Sequence, residues 1–165
     1  MRKVSWLVFG LMLLFAVIFL TQTVTDLPAM VASHFDSAGQ PNAYMPHDFY
    51  GRFVLAMAVG LPLAMATLFI AVFSNAKDMK LPNRDYWLAP ERIAQTRASL
   101  ISHSLWFCTL MVAMVCFAHW LELAAHRSVP PHLSNSMILG GVLVFFIATI
   151  GWLFALLGTF RLPRT

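Results

Sequence analysis

The stretch HWLELAAH, His119 to His126, carries the chemistry most readily read from this sequence. His119, Glu122 and His126 are spaced by three and then four residues, so on a helix they share one face. Two imidazoles and a carboxylate so arranged are the donor set of a zinc or other transition-metal site, with His34 from a preceding loop as a further ligand. Two other accounts compete. A helix end at a membrane surface is wet and holds His and Glu as solvated groups, and an unperturbed imidazole titrates near about pH 6.5, which suits pH sensing. No Gly-rich phosphate loop, nucleophile elbow or His-Glu-x-x-His pattern accompanies the cluster, so catalysis has no other support in the sequence.

The elements that must position these residues are membrane helices. Apolar residues make up 59% of the chain and charged ones only 11%, a balance that a water-soluble domain of this length does not have. Four apolar runs, 4–23, 53–74, 104–124 and 137–160, are each long enough to cross roughly 30 Å of hydrocarbon. None contains Asp, Lys or Arg. The expectation is an all-α membrane protein in which residues 1–165 form one four-helix transmembrane bundle, with an ordered extracytoplasmic loop between helices 1 and 2. The first run follows Arg2 and Lys3 as a signal peptide would, but it continues through Phe19 and Leu20 without a cleavage site and is expected to stay.

Lys and Arg set the expected orientation. Arg2 and Lys3 precede the first run, Lys77, Lys80, Arg84, Arg92 and Arg97 lie between the second and third, and Arg161 and Arg164 end the chain. Arg52 and Arg127 alone are left for the other side. Both termini are therefore expected in the cytoplasm of a cell with this protein in its inner (plasma) membrane. The net charge of +4 is spread over these juxtamembrane segments and forms no single basic face, which argues against nucleic acid as a partner.

Small residues at helical spacing predict helix contacts. Ala56, Gly60 and Ala64 in the second run, and Gly141, Ala148, Gly151, Ala155 and Gly158 in the fourth, make these two spans the expected inner helices of the bundle. Pro62 should bend its helix. Cys108 and Cys116 are about 12 Å apart along a helix and cannot pair within it, so they read as packing residues. The absence of a mid-span carboxylate or Lys argues against a proton-coupled transporter.

The loops carry the remaining polar residues. In the outer loop Asp26 is expected to cap a short helix with Pro28 in its first turn, and Gly39 and Pro41-Asn42 should mark a turn. Between them Ser33 to Asp36 reads as extended, with His34 and Asp36 on one side and Phe35 on the other. All the histidines except His103 (His34, His47, His119, His126 and His132) are expected on the outer side. In the inner loop Leu81-Pro82-Asn83 is punctuation and Tyr86-Trp87 suits the headgroup level. A helix is expected from Pro90, with Glu91 at its positive end, running unbroken into the third span. Arg92 and Arg97 on it would each gain about 1 kcal/mol from anionic lipid.

These loops also carry a resemblance. LPAMVASHFDSAGQPNAYMPHDFY, with Leu27-Pro28, His34-Phe35, Gly39 and Pro41-Asn42, resembles the membrane domain of unknown function 1648. The segment from Leu81 through Pro82, Asn83, Arg84, Asp85, Tyr86 and Trp87 to Pro90, Glu91 and Arg92 is similar to one in bacterial members of that group. The resemblance implies a bacterial membrane protein. That domain also occurs in immunity proteins of the sporulation-delay system, so by analogy at domain level it implies a self-protection or receptor role. The leading expectation is binding or sensing of a peptide, protein or other ligand at the outer face. One alternative is a metal-dependent membrane enzyme or metal handler using His119, Glu122, His126 and His34. A second is an accessory subunit that packs on a membrane partner or on another copy of itself.

Overall fold

A computed structural model describes residues 2–75 and 81–161; Lys77, Lys80 and Arg164, used above for orientation, lie outside them. The chain is a four-span helical membrane protein. Helices covering Lys3–Asp26, His47–Ser74, Ile93–Ala125 and Asn135–Thr159 are each long and apolar enough to cross a bilayer. In chain order the elements are α1 (Arg2–Thr23), a 3-10 turn (Val24–Asp26), β1 (Met30–Phe35), β2 (Pro41–Pro46), α2 (His47–Leu55), a π-helical segment (Ala56–Gly60), α3 (Leu61–Asn75), α4 (Arg84–Trp87), α5 (Ile93–Ala125) and α6 (Asn135–Thr159).

The second and third spans start earlier than their apolar runs because polar residues continue the helices beyond the hydrocarbon-length core. At 33 residues α5 is about 50 Å long, more than a bilayer's apolar thickness. It does run unbroken into its span, but it begins at Ile93. Pro90 and Glu91 instead sit in a preceding turn, where the Ala89 carbonyl accepts from both Arg92 N and Ile93 N at 2.9 and 3.0 Å.

The inner contacts of the bundle differ from those expected from the small-residue stripes. Buried Phe9, Ala16 and Leu20 on α1, Val54, Ala58 and Ala66 on the second span, and Leu105, Cys108, Val112 and Cys116 on α5 pack into one core. The core is therefore built by spans one, two and three, with α5 at its centre. Both cysteines are free and buried in it. The stripe Ala56, Gly60 and Ala64 faces away, exposed, because the buried face of the same span is offset by two residues. On α6 no described residue is buried, and a Cβ added at Gly151 or Gly158 would meet nothing. Gly141 is the exception, since a Cβ there would enter the Phe117 ring.

Pro62 does disturb its helix. It lacks the N–H that an α-turn needs and its ring crowds the carbonyl four residues back, Ala58, which lies inside the π-helical segment. That extra-wide turn relieves the crowding without breaking the span.

Between the first two spans lies an element absent from the all-α expectation. β1 and β2 form an antiparallel hairpin with irregular register around His34. The 3-10 turn carries α1 onward through Asp26, and Leu27 N closes it on Val24 O at 3.1 Å. Asp26 thus ends a turn and caps no helix. Gly39 lies in the hairpin turn as expected, whereas Pro41 and Asn42 open β2.

Candidate functional site

At the hairpin end the deepest polar side chain is that of His119, at 1% exposure. Its Nε2 is 2.8 Å from Thr23 Oγ1 on α1, and its Nδ1 is 2.9 Å from Tyr50 Oη on α2. Thr23 spends its single hydroxyl proton on Phe19 O at 2.6 Å, so its oxygen must accept from His119. The proton of His119 is therefore on Nε2, and Nδ1 accepts from Tyr50 O–H. One chain of donors runs Tyr50 to His119 to Thr23 to Phe19, joining three spans through a neutral imidazole. The Phe19 ring meets the imidazole edge-on and the Tyr50 ring stacks on it, at centroid distances of 5.5 and 5.8 Å.

Glu122 lies one turn further along α5, and His126, two turns on at its C-cap, meets the hairpin. His126 Nε2 accepts from Ala32 N at 3.3 Å, which satisfies a backbone donor in a residue with no exposed surface. His126 Nδ1 therefore carries the proton and donates to the Glu122 carbonyl at 3.0 Å. Glu122 Oε1 also lies 3.2 Å from that nitrogen, but it receives no hydrogen bond of acceptable geometry and is buried. The two groups are close neighbours without a directed bond.

The hairpin is fastened at two more places. Asp36 Oδ1 accepts from Ala38 N and Gln40 N at 2.8 and 2.9 Å, folding the turn. Gly39, with φ of 77°, presses on the α5–α6 connection, where Leu133 N donates to Gly39 O at 2.9 Å. Asn135 Nδ2 donates to Ser37 O at 2.8 Å beside it. At the base of the hairpin His47 Nε2 donates to Val24 O at 2.8 Å, while its Nδ1 faces Asp48 Oδ1 at 3.3 Å.

The residues of the expected metal set are not gathered. His119 and His126 have both ring nitrogens engaged, and His34 is exposed with Nδ1 3.3 Å from Ser33 Oγ. No group of three or more His, Cys, Asp and Glu among the described residues is placed to hold a metal ion. The expected pairing of His34 with Asp36 on one side of a strand is also replaced, because Asp36 lies past β1 and folds into the turn. Of the outer-loop motif, Leu27 is buried, Phe35 and Pro41 are half-buried and paired across the hairpin, and Pro28 and Asn42 are exposed.

Two cavities open at the base of the hairpin. One, of about 420 Å³, is lined by Leu20, Val24, His47, Asp48, Arg52 and Leu55 among others. The second, of about 430 Å³, is lined by Thr25, Leu27, Ala29, Pro46, His47 and Asp48. They share His47 and Asp48. Asp48 and Arg52 are one helical turn apart and both exposed, so a carboxylate and a guanidinium flank an apolar floor. Sequence reasoning placed His47 and Arg52 on this side but did not pair Arg52 with Asp48; their four-residue spacing was the available signal.

The segment from α1 through the hairpin to the π-helical segment is a unit that sequence comparison also delimits. Residues 7–60 match the model of a domain of unknown function (DUF1648). No curated protein and no solved structure matches the chain. The DUF1648 segment thus supplies Thr23, Tyr50 and the whole hairpin, while His119, Glu122 and His126 come from α5 beyond it.

The inner-loop motif serves the opposite end. Trp87 Nε1 and Asn83 Nδ2 donate to Phe160 O at 2.9 and 3.3 Å, closing the C-terminus of α6. Asn83 adopts the left-handed conformation, with φ of 55°. Arg92 lies over the Tyr86 ring at 4.0 Å and Thr96 Oγ1 donates to Trp87 O at 2.7 Å. Leu81 is half-buried, whereas Pro82, Arg84, Asp85, Pro90 and Glu91 are exposed.

Proposed function

We propose that this protein binds a peptide or a protein terminus at the outer face of a bacterial inner membrane, in the paired cavities beside His47 and Asp48. The reading takes the hairpin as extracytoplasmic and both termini as cytoplasmic, which the distribution of Lys and Arg favours. The observation that carries it is the pair of adjoining cavities, with the Asp48 carboxylate lining both and the Arg52 guanidinium lining the first. A free peptide end offers an ammonium or a carboxylate to one or other group and apolar side chains to Leu20, Val24 and Leu55. The hairpin beside the cavities is tied to α5 by His126, and His119 joins three spans at the same end, so a ligand seated there would load the whole bundle. A receptor or immunity-like role fits such a coupling.

The test is thermal stabilisation of the detergent-purified protein by short peptides with free ends, against the same peptides N-acetylated and C-amidated. Free-ended peptides should stabilise the parent and lose the effect with Asp48→Asn or Arg52→Gln. Equal stabilisation of parent and variants, or by capped peptides, would remove the site from consideration.

A second reading, an accessory membrane subunit, has its own observation. α6 packs on α5 with no residue of its own buried, which leaves one whole span open to another helix. Purification in mild detergent as a single unpartnered chain would count against it.

A further inference from the structure

At the end of the bundle opposite the hairpin, α1 and α5 begin side by side and leave a cavity of about 520 Å³ between them. Lys3 and Trp6 line it from the first turns of α1, and Ala94, Arg97, Ala98 and Ile101 line it from the first turns of α5. Among the described residues, its charged side chains are both cations. The helices are pinned at this level by a buried hydrogen bond in which Ser102 Oγ donates to Ser5 Oγ at 3.0 Å, so the cavity does not depend on a ligand to hold it open.

We propose that this cavity binds the phosphate of an anionic phospholipid. The Lys3 ammonium is exposed at its mouth and offers three donors. The Arg97 guanidinium presents a planar fork that suits a phosphate's paired oxygens, and its five N–H groups leave donors for a ligand beside any contact within the chain. Both helices also direct their N-terminal, positive ends toward this side of the membrane, which adds a favourable field for an anion. The apolar half of the lining fits the rest of such a molecule: Trp6 is an amphipathic ring of the kind found at the headgroup level, and Ile101 continues one turn deeper toward the hydrocarbon. Depth agrees with this, since the lining residues occupy the first turns of two of the membrane-crossing helices. The shared chemistry is a phosphate anion, and the position at the start of two spans selects the lipid-borne form over the free ion.

Native mass spectrometry of the full chain, released from detergent after mixing with phosphatidylglycerol, phosphatidylcholine or inorganic phosphate, tests the proposal. Phosphatidylglycerol should remain bound at least threefold more than phosphatidylcholine, and millimolar inorganic phosphate should not displace it. Lys3→Gln, at an exposed position that folding does not use, should reduce retention severalfold, and Lys3→Gln with Arg97→Gln should abolish the preference. Arg127→Gln, near the hairpin end, should behave as the parent. Equal retention of the two lipids, or unchanged preference in Lys3→Gln, overturns the site; displacement by inorganic phosphate overturns the lipid as its source.

Discussion

Tyr50 Oη stands 2.9 Å from His119 Nδ1, and this buried hydrogen bond joins the second span to the third at the hairpin end. Removing the donor alone strands an acceptor in a place water does not reach. Tyr50→Phe should therefore cost about 1–3 kcal/mol, whereas replacing both partners by apolar groups of similar shape costs much less than the sum of the two single changes. A double-mutant cycle with Tyr50→Phe and His119→Leu, read by thermal unfolding in detergent, checks this. Simple additivity would mean that the bond contributes nothing.

The same accounting fixes a tautomer. Because Thr23 donates to Phe19, His119 must carry its proton on Nε2. Nitrogen-15 chemical shifts of the imidazole should report that form, and a proton on Nδ1 would reverse the direction of the chain from Tyr50.

Glu122 behaves differently from its histidine neighbours. Its Oε1 is buried without a directed hydrogen bond. Glu122→Gln keeps the shape while removing a buried ionisable group whose Oε1 no directed bond satisfies, so stability should stay within about 1 kcal/mol of the parent or rise. A fall of several kcal/mol, measured in the same unfolding assay, would show that the carboxyl group itself is needed beside His126.

How much of this was legible in the sequence depended on the kind of signal. Lengths of apolar runs located all four spans, because hydrocarbon thickness imposes the same minimum on each. The face shared by His119, Glu122 and His126 followed from helical spacing, yet the purpose of each residue did not. His119 is occupied by Thr23 and Tyr50, which lie 96 and 69 residues away in sequence, and no local pattern announces such partners. The hairpin was hidden for another reason: its strands are short, β2 is bounded by Pro41 and Pro46, and β1 is irregular at His34 and lacks the alternation of a regular strand. The small-residue stripes misled because Gly and Ala mark where a helix can approach another closely, and a helix face open to lipid tolerates them equally.

Two glycines separate those cases. A Cβ at Gly39 would run into the Leu133 carbonyl, and the residue's positive φ disfavours any side chain, while a Cβ at Gly60 would meet nothing. Gly39→Ala should destabilise by more than about 1 kcal/mol and raise protease sensitivity of the hairpin. Gly60→Ala should be neutral or stabilising by up to about 1 kcal/mol, as helix propensity alone dictates. Equal behaviour of the two variants would contradict the docking of the hairpin turn on the α5–α6 connection.

At the other end, Trp87 tests whether the inner loop is a connector or a clamp. Its indole N–H reaches Phe160 O at 2.9 Å, and its ring meets the Phe160 ring edge-on at 5.6 Å. A helix end without such partners leaves its last carbonyls to water or lipid headgroups. Trp87→Phe retains most of the ring contact and deletes the donor, which isolates the hydrogen bond at about 0.5–1.5 kcal/mol. Hydrogen exchange should then quicken in the last turn of α6 and in α4 while the hairpin end is unchanged. If exchange at α6 stays at the parent rate, Asn83 and the aromatic packing hold the helix end by themselves, and the Trp87 donor is dispensable.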